Sequence, residues 1–259
     1  MLPLFDFDAL TKHRARAARG FAAIAPVLED LSARLIERLD DTSRHFEDAL
    51  DFGGRGLTAP LLAARGLRVT SAEFTPAWLE NAPGPAHLIT NPADFALPPA
   101  AFDLIIAPLS LHWLDDLPGA LIQLRRALRP DGLFLASVPL LGTLQPLREA
   151  LLEAEETLTG RVSPRVSPYP ELRDVAGLLQ RAGFALPVAD LEEITLSYRT
   201  PLTLLHGLRQ AGETNALSAR ARLTPPRALF PLALSRLPVR EGRVPMPLKL
   251  GILTGWAPS

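Results

Sequence analysis

The chain opens with a helical pattern. Leu10, Phe21, Ile24, Leu28, Leu31, Leu35 and Leu39 recur mostly at spacings of three and four, the apolar stripe of an amphipathic helix. Pro26 divides the 8–39 segment into two helices. From residue 48 short apolar runs take over, and 49–52, 67–72, 87–90, 102–107 and 133–138 read as five strands. The fourth is almost wholly apolar, as expected of a strand covered on both faces. Helices are predicted over 57–64, stopping at Gly66, from Pro76 onward, and over 117–128, with Arg129-Pro130-Asp131-Gly132 as a turn. This alternation predicts a parallel sheet joined by right-handed crossovers.

Beyond residue 140 the order loosens. Helices are predicted over 144–158 and 171–182, a short helix over 203–210, and strands over 194–198 and 248–256. Pro164, Pro168 and Pro170 make 160–170 a loop. No internal repeat, long linker or composition break divides the chain. The expectation is therefore one domain over 1–259: N-terminal helices at 1–45, a ligand-binding core at 46–140, a helical insertion and loop at 141–185, and C-terminal strands and helices at 186–259.

Composition narrows the picture. Of 259 residues, 47% are apolar and 21% charged, which suits an ordinary globular protein, and a net charge of −1 gives no global pull towards nucleic acid or anionic membrane. The absence of cysteine excludes disulfides, thiolate metal sites and a cysteine nucleophile. The first residues lack a basic stretch followed by an apolar one, and no apolar run is long enough to span a bilayer, so a cytoplasmic protein is expected. Lys12, His13, Arg14, Arg16 and Arg19 put a small basic face on the first helix, which reads as a solvated face. The five histidines show no HxH or HExxH spacing, so no metal is expected. His112 with Asp115 and Asp116 is the one conceivable iron-ligand grouping. No basic stripe with interleaved aromatics points to nucleic acid.

Two places carry candidate chemistry. In Asp51-Phe52-Gly53-Gly54-Arg55-Gly56, glycines directly after a first strand let backbone approach a ligand, although such a cluster is as often a plain tight turn. Glu73 lies 22 residues after Asp51 (73 − 51), at the end of the second strand, where a carboxylate can accept hydrogen bonds from ribose hydroxyls. A lone glutamate there is usually just solvated; its conjunction with the glycine loop is what matters.

The run Val69–Leu79, then Phe102-Asp103-Leu104-Ile105-Ile106, then Leu128-Arg129-Pro130-Asp131-Gly132-Leu133-Phe134 resembles class I S-adenosylmethionine-dependent methyltransferases. Leu109-Ser110-Leu111-His112-Trp113-Leu114-Asp115-Asp116-Leu117-Pro118 is similar to a segment shared by malonyl-carrier methyltransferases of biotin synthesis and methyltransferase-like assembly factors of respiratory complex I. Gly142–Arg148, Ser163–Tyr169, Leu178–Phe184 and Gly212-Glu213-Thr214-Asn215 lean towards the assembly factors, a group known for hydroxylating an arginine on a complex I subunit.

That resemblance implies an α/β, Rossmann-like, doubly wound and mostly parallel sheet of seven strands. The last strand would be antiparallel, with helices on both faces and a helical insertion after the fifth strand. It implies S-adenosylmethionine as cofactor. Asp51, Gly53, Gly54 and Gly56 would lie beneath the methionine moiety, Glu73 would hold the ribose, Phe74 would pack on adenine, and Asp94 would meet the adenine amine. Leu109 and Ser110 would lie beside the methyl donor, and His112, Trp113, Ser163 and Tyr169 on the substrate side. The implied activity is methyl transfer to a small-molecule or protein acceptor. The alternatives are arginine hydroxylation with a respiratory-complex subunit as partner, or a non-catalytic binding protein on the same fold. One departure stands out. The family's loop is Asp-x-Gly-x-Gly-x-Gly, and this chain is one residue shorter, which aligns Gly54-Arg55-Gly56 with the last Gly-x-Gly.

Overall fold

A computed structural model describes residues 3–221 and 223–259. Seven strands form one sheet: β1 (Asp48–Phe52), β2 (Arg68–Glu73), β3 (Ala86–Leu88), β4 (Phe102–Pro108), β5 (Leu128–Pro139), β6 (Ala185–Tyr198) and β7 (Val244–Trp256). Their order is β3-β2-β1-β4-β5-β7-β6. The pairs β1–β2, β1–β4, β2–β3 and β4–β5 are parallel. Strand β7 runs antiparallel to both its neighbours. The order reverses between β1 and β4, and loops after those two strands face each other across the crevice where doubly wound sheets bind ligands.

Both faces of the sheet are covered. Helices α2 (Ala25–Glu37) and α3 (Thr58–Ala64) pack on one face, where Leu35 and Leu62 meet Ala49, Val69, Leu104, Ile106 and Leu135. On the other, α4 (Leu117–Ala127) and α6 (Leu172–Arg181) bring Leu121, Leu124 and Leu179 against Leu50, Ile105, Phe134 and Ala136. The odd and even positions of β4 thus serve opposite cores, which explains its continuous apolar run. Helix α4 starts cleanly because the Asp116 carboxylate accepts from Gly119 N at 2.9 Å and a proline occupies its first turn.

The N-terminal and C-terminal additions meet over the C-terminal ends of the strands. Helix α1 (Phe7–Ala18) touches α7 (Pro201–Ala211). A satellite core joins α5 (Gln145–Thr159), α7 and α8 (Leu229–Ser235) to the far half of the β6–β7 pair through Leu147, Leu151, Leu204, Leu229 and Met246. Loop 160–170 is pinned to α5, because Glu155 accepts from Ser163 N and from Arg165 Nε and Nη2.

Several local expectations are corrected. The 8–39 segment does form two helices, α1 and α2, with Pro26 in the first turn of α2 and the break itself at 19–24. No helix follows Pro76; a single 3-10 turn, Pro76–Trp78, is all that forms before Pro83, Gly84 and Pro85 lead into β3. The turn at 129–132 is absorbed into β5 as an irregularity, with Asp131 left-handed (φ 59°) and the register jumping from Phe102↔Leu128 to Leu104↔Leu133. Strand β6 is fourteen residues long rather than five, and α8 carries no sequence prediction.

Candidate functional site

The loop after β1 is built on two glycines that nothing else could replace. Gly53 is left-handed (φ 75°) and a Cβ there would lie 2.5 Å from Ser110 Cβ. A Cβ on Gly54 would lie 2.1 Å from an Asp51 carboxylate oxygen. The Asp51 carboxyl turns back into its own loop, towards the N–H groups of Gly54 and Ala59. Burial, then the neighbouring Glu73 charge, raise its pKa well above the usual carboxylate range.

Glu73 ends β2 and is only 2% exposed. One carboxylate oxygen accepts from Arg55 N at 2.5 Å, while Oε2 is buried without a partner. Burial raises its pKa, against the lowering pull of Arg14 and of the Arg55 N–H. Ser110 Oγ donates to Phe52 O at 2.8 Å and so ties the β4 loop to the β1 loop. Phe74 is buried edge-on to Phe52 and Phe7.

Three residues not singled out as site residues in the sequence dominate the centre. Arg55 is left-handed (φ 56°) and 4% exposed, and its Nη2 donates to both Leu109 O and Glu213 Oε1 at 2.7 Å. Leu109, its partner across the crevice, is itself left-handed (φ 46°). Two non-glycine residues in that region together store about 2–4 kcal/mol. Arg14 is 1% exposed and stands 3.5 Å from both Glu213 Oε1 and Leu109 O. On its other oxygen, Glu213 accepts from His112 Nε2 at 2.9 Å and Trp113 Nε1 at 3.0 Å.

One carboxylate therefore collects three hydrogen-bond donors from the β1 and β4 loops and an ion pair from α1. Burial alone would raise Glu213, but His112 and the two guanidiniums hold it well below the usual carboxylate range. Burial pushes His112 down, against the raising pull of Glu213. Arg14 is lowered to about 10 by burial and by Arg55, and stays cationic. The basic face of α1 is solvated at Lys12, Arg16 and Arg19 as expected, but Arg14 is turned into the interior beside Glu213. Gly212-Glu213-Thr214-Asn215 was visible as a motif, but its role needed the fold.

A cavity of about 510 Å³ opens beside this cluster. Trp113, Tyr169 and Glu213 line it, and Leu144, Tyr169, Leu208 and Glu213 also line a second space of about 80 Å³ that reaches Leu109 and His112. The two spaces lie side by side across those shared residues, the smaller one at the end of β4. Asp51, Gly53, Gly54, Glu73, Phe74, Leu109, Ser110, His112, Trp113 and Tyr169 are brought to this region or the buried wall behind it. Gly56 follows in the same loop, left-handed with open space at its Cβ position. Two residues are not brought in. Asp94 is exposed and accepts from Ala96 N in a local turn. Ser163 spends its hydroxyl on Glu155. Asp115 accepts from Phe5 N and Asp116 caps α4, so neither carboxylate turns to His112. Among the described residues no group of three or more histidine, aspartate or glutamate side chains is placed to hold a metal ion.

Strand order, glycine loop and the acid ending β2 together define a methyltransferase-like doubly wound protein. The chain belongs to the methyltransferase-domain family, whose model matches residues 18–187. It is 33% identical to human "Arginine-hydroxylase NDUFAF5, mitochondrial" over 98% of this chain and 77% of that protein. It is 27% identical to the malonyl-[acyl-carrier protein] O-methyltransferase of Gallionella capsiferriformans, over 99% of this chain and 92% of that one. Among solved structures, the YcgJ protein of Bacillus subtilis shares the fold with a TM-score of 0.58 at 14% identity, covering 87% of this chain and 98% of the other.

Proposed function

We propose that this chain is an S-adenosylmethionine-dependent methyltransferase, with the donor seated between the β1 loop and Leu109–Ser110 and the acceptor arriving through the 510 Å³ cavity. One observation carries the reading: Glu73 Oε2 is a buried acceptor without a donor, at the position where the family holds ribose. An unmet buried carboxylate oxygen costs about 1–3 kcal/mol, which a ribose hydroxyl would recover. The residues fit the group at this end. At the methionine end the Arg55 side chain claims the same space, so binding requires it to release Leu109 O and Glu213.

When bound, the cofactor supplies an already activated methyl group on a sulfonium. The protein's task is then alignment and exclusion of water, an orientation effect of up to about 7–11 kcal/mol. Glu73 fixes the ribose, Leu109 and Ser110 form the wall beside the methyl group, and the smaller space lined by Leu109, His112 and Tyr169 limits the acceptor's approach. No general base is assigned. Phe74 backs this seat from the core, and residence in the cytoplasm and a single functional unit over 1–259 belong to the same proposal.

Arginine hydroxylation is the second reading, favoured by the match to the human arginine-hydroxylase over nearly the whole chain; its partner would be a protein, such as a respiratory-complex subunit. Calorimetry with S-adenosylmethionine tests the first. Saturable binding is expected, weakened about 10- to 100-fold by Glu73→Ala. No heat at millimolar ligand would remove the cofactor and leave a binding scaffold. Mass spectrometry of an acceptor protein separates a gained methyl from a gained oxygen.

A further inference from the structure

The 510 Å³ cavity is lopsided in charge. His13, Arg16, Arg165, His206 and Arg209 line it, against a single acid, Glu213. That acid is already engaged by Arg14 and Arg55, and Arg165 is paired with Glu155 at 2.6 Å. Among the described residues neither Arg16 nor Arg209 has a carboxylate within ion-pair distance, and both are exposed at the mouth. Burial, then Arg16, lower the pKa of His13.

Two further observations point inward. His13 and Thr214 line this cavity, and their Nδ1 and Oγ1 are buried without a hydrogen-bond partner among the described residues. Polar atoms in that state are the exception in folded proteins and call for a ligand group or water. The opposite wall is apolar: Leu144, Leu147, Leu151, Leu205, Leu208 and Phe230. A volume of this size suits a small organic molecule.

We propose that this cavity binds a small amphipathic monoanion, its charged head held by Arg16 and Arg209 with His13 and Thr214, and its apolar body laid on the α5–α7 wall. The proposal rests on the methyl-transfer reading in one respect, since it names the chemical class of the acceptor. The same charge balance disfavours a guanidinium: an arginine side chain would enter among unpaired cations and find its only carboxylate already shared by two arginines.

The test is calorimetry of the whole chain with octanoate, octanol, octylamine and arginine amide, each without S-adenosylmethionine. Octanoate is expected to bind saturably in the micromolar-to-millimolar range, at least about tenfold tighter than octanol, with octylamine and arginine amide weaker still. The double variant Arg16→Gln/Arg209→Gln, with unchanged melting temperature, should weaken octanoate about tenfold or more and leave octanol unaltered. Leu147→Ala should weaken both. Octylamine or arginine amide binding as well as octanoate would overturn the proposal, as would no saturable octanoate binding, or binding indifferent to the arginine pair. The donor titration is separate: S-adenosylmethionine binding with no anion binding sinks this inference alone, and anion binding without donor binding sinks the cofactor reading alone.

Discussion

The seat between the β1 and β4 loops and the cavity beside it treat charge in opposite ways. In the seat both guanidiniums meet partners of this chain through Nη2, Arg55 on Leu109 O and Glu213 and Arg14 on Glu213, although Arg14 Nε and Nη1, Arg55 Nε and Glu73 Oε2 stay buried without one among the described residues. In the cavity Arg16 and Arg209 face open space and polar atoms lack partners. Both regions share Glu213. A ligand for the seat meets the unpartnered Glu73 oxygen but must displace the Arg55 contacts with Leu109 O and Glu213, whereas a ligand for the cavity displaces no ion pair of Arg16 or Arg209. The first should bind weakly for its size and respond to mutations that loosen the protein. The second should respond only to loss of its own contacts.

The largest expected effect comes from removing the shared carboxylate. Glu213→Ala leaves Arg14 and Arg55 buried without their anion and should destabilise the fold by about 3–5 kcal/mol in chemical denaturation. Glu213→Gln, which keeps acceptor geometry, should cost less. The pH dependence follows from the sign. Glu213 is depressed in the folded chain, so its stabilisation is present above the usual glutamate value of 4.5 and disappears as pH falls below it. Glu213→Gln should flatten that acid limb; an unchanged limb would mean that other groups drive it.

Next comes Arg55→Gly, which removes the side chain in the seat and relieves a left-handed non-glycine residue. S-adenosylmethionine affinity measured by calorimetry should rise about 5- to 100-fold, the equivalent of about 1–3 kcal/mol for a charged hydrogen bond no longer broken. A fall in affinity would show that Arg55 assists the ligand instead of excluding it, and the contrast between the two regions would vanish.

Asp51→Asn is a smaller test. Its folded pKa is raised, so the protonated carboxyl's contribution holds at low pH and is lost as pH rises through the folded value. The variant should remove that loss and change stability at low pH by about 1 kcal/mol or less. Smallest is Arg34→Ala. Its pairs with Asp30 and Glu192 sit on the open surface of α2 and β6, and no change in melting temperature is expected.

How legible was this in the chain? The parallel half of the sheet was written in local pattern: β4 as an apolar run, β1 as apolar residues stopped by Gly53, and β2 ending on Glu73. The shortened glycine loop also announced itself, with Arg55 at its centre. The far half was legible only in pieces, 194–198 of β6 and 248–256 of β7, because the rest of β6 is exposed and depends on twelve register pairs with β7, some sixty residues away.

What the sequence by itself determined was the architecture around β1–β5 and the position of Glu73, because strand period, glycine turns and the spacing between them act over short stretches of chain. What only the tertiary structure decided was the fate of charge. Arg14 read as part of a wet helix face, and Arg55 and Glu213 lie 158 residues apart. A buried arginine is tolerated only where an anion meets it, and no local pattern says which distant carboxylate will arrive. The closing of the seat and the opening of the cavity were both settled by that one long-range meeting at Glu213.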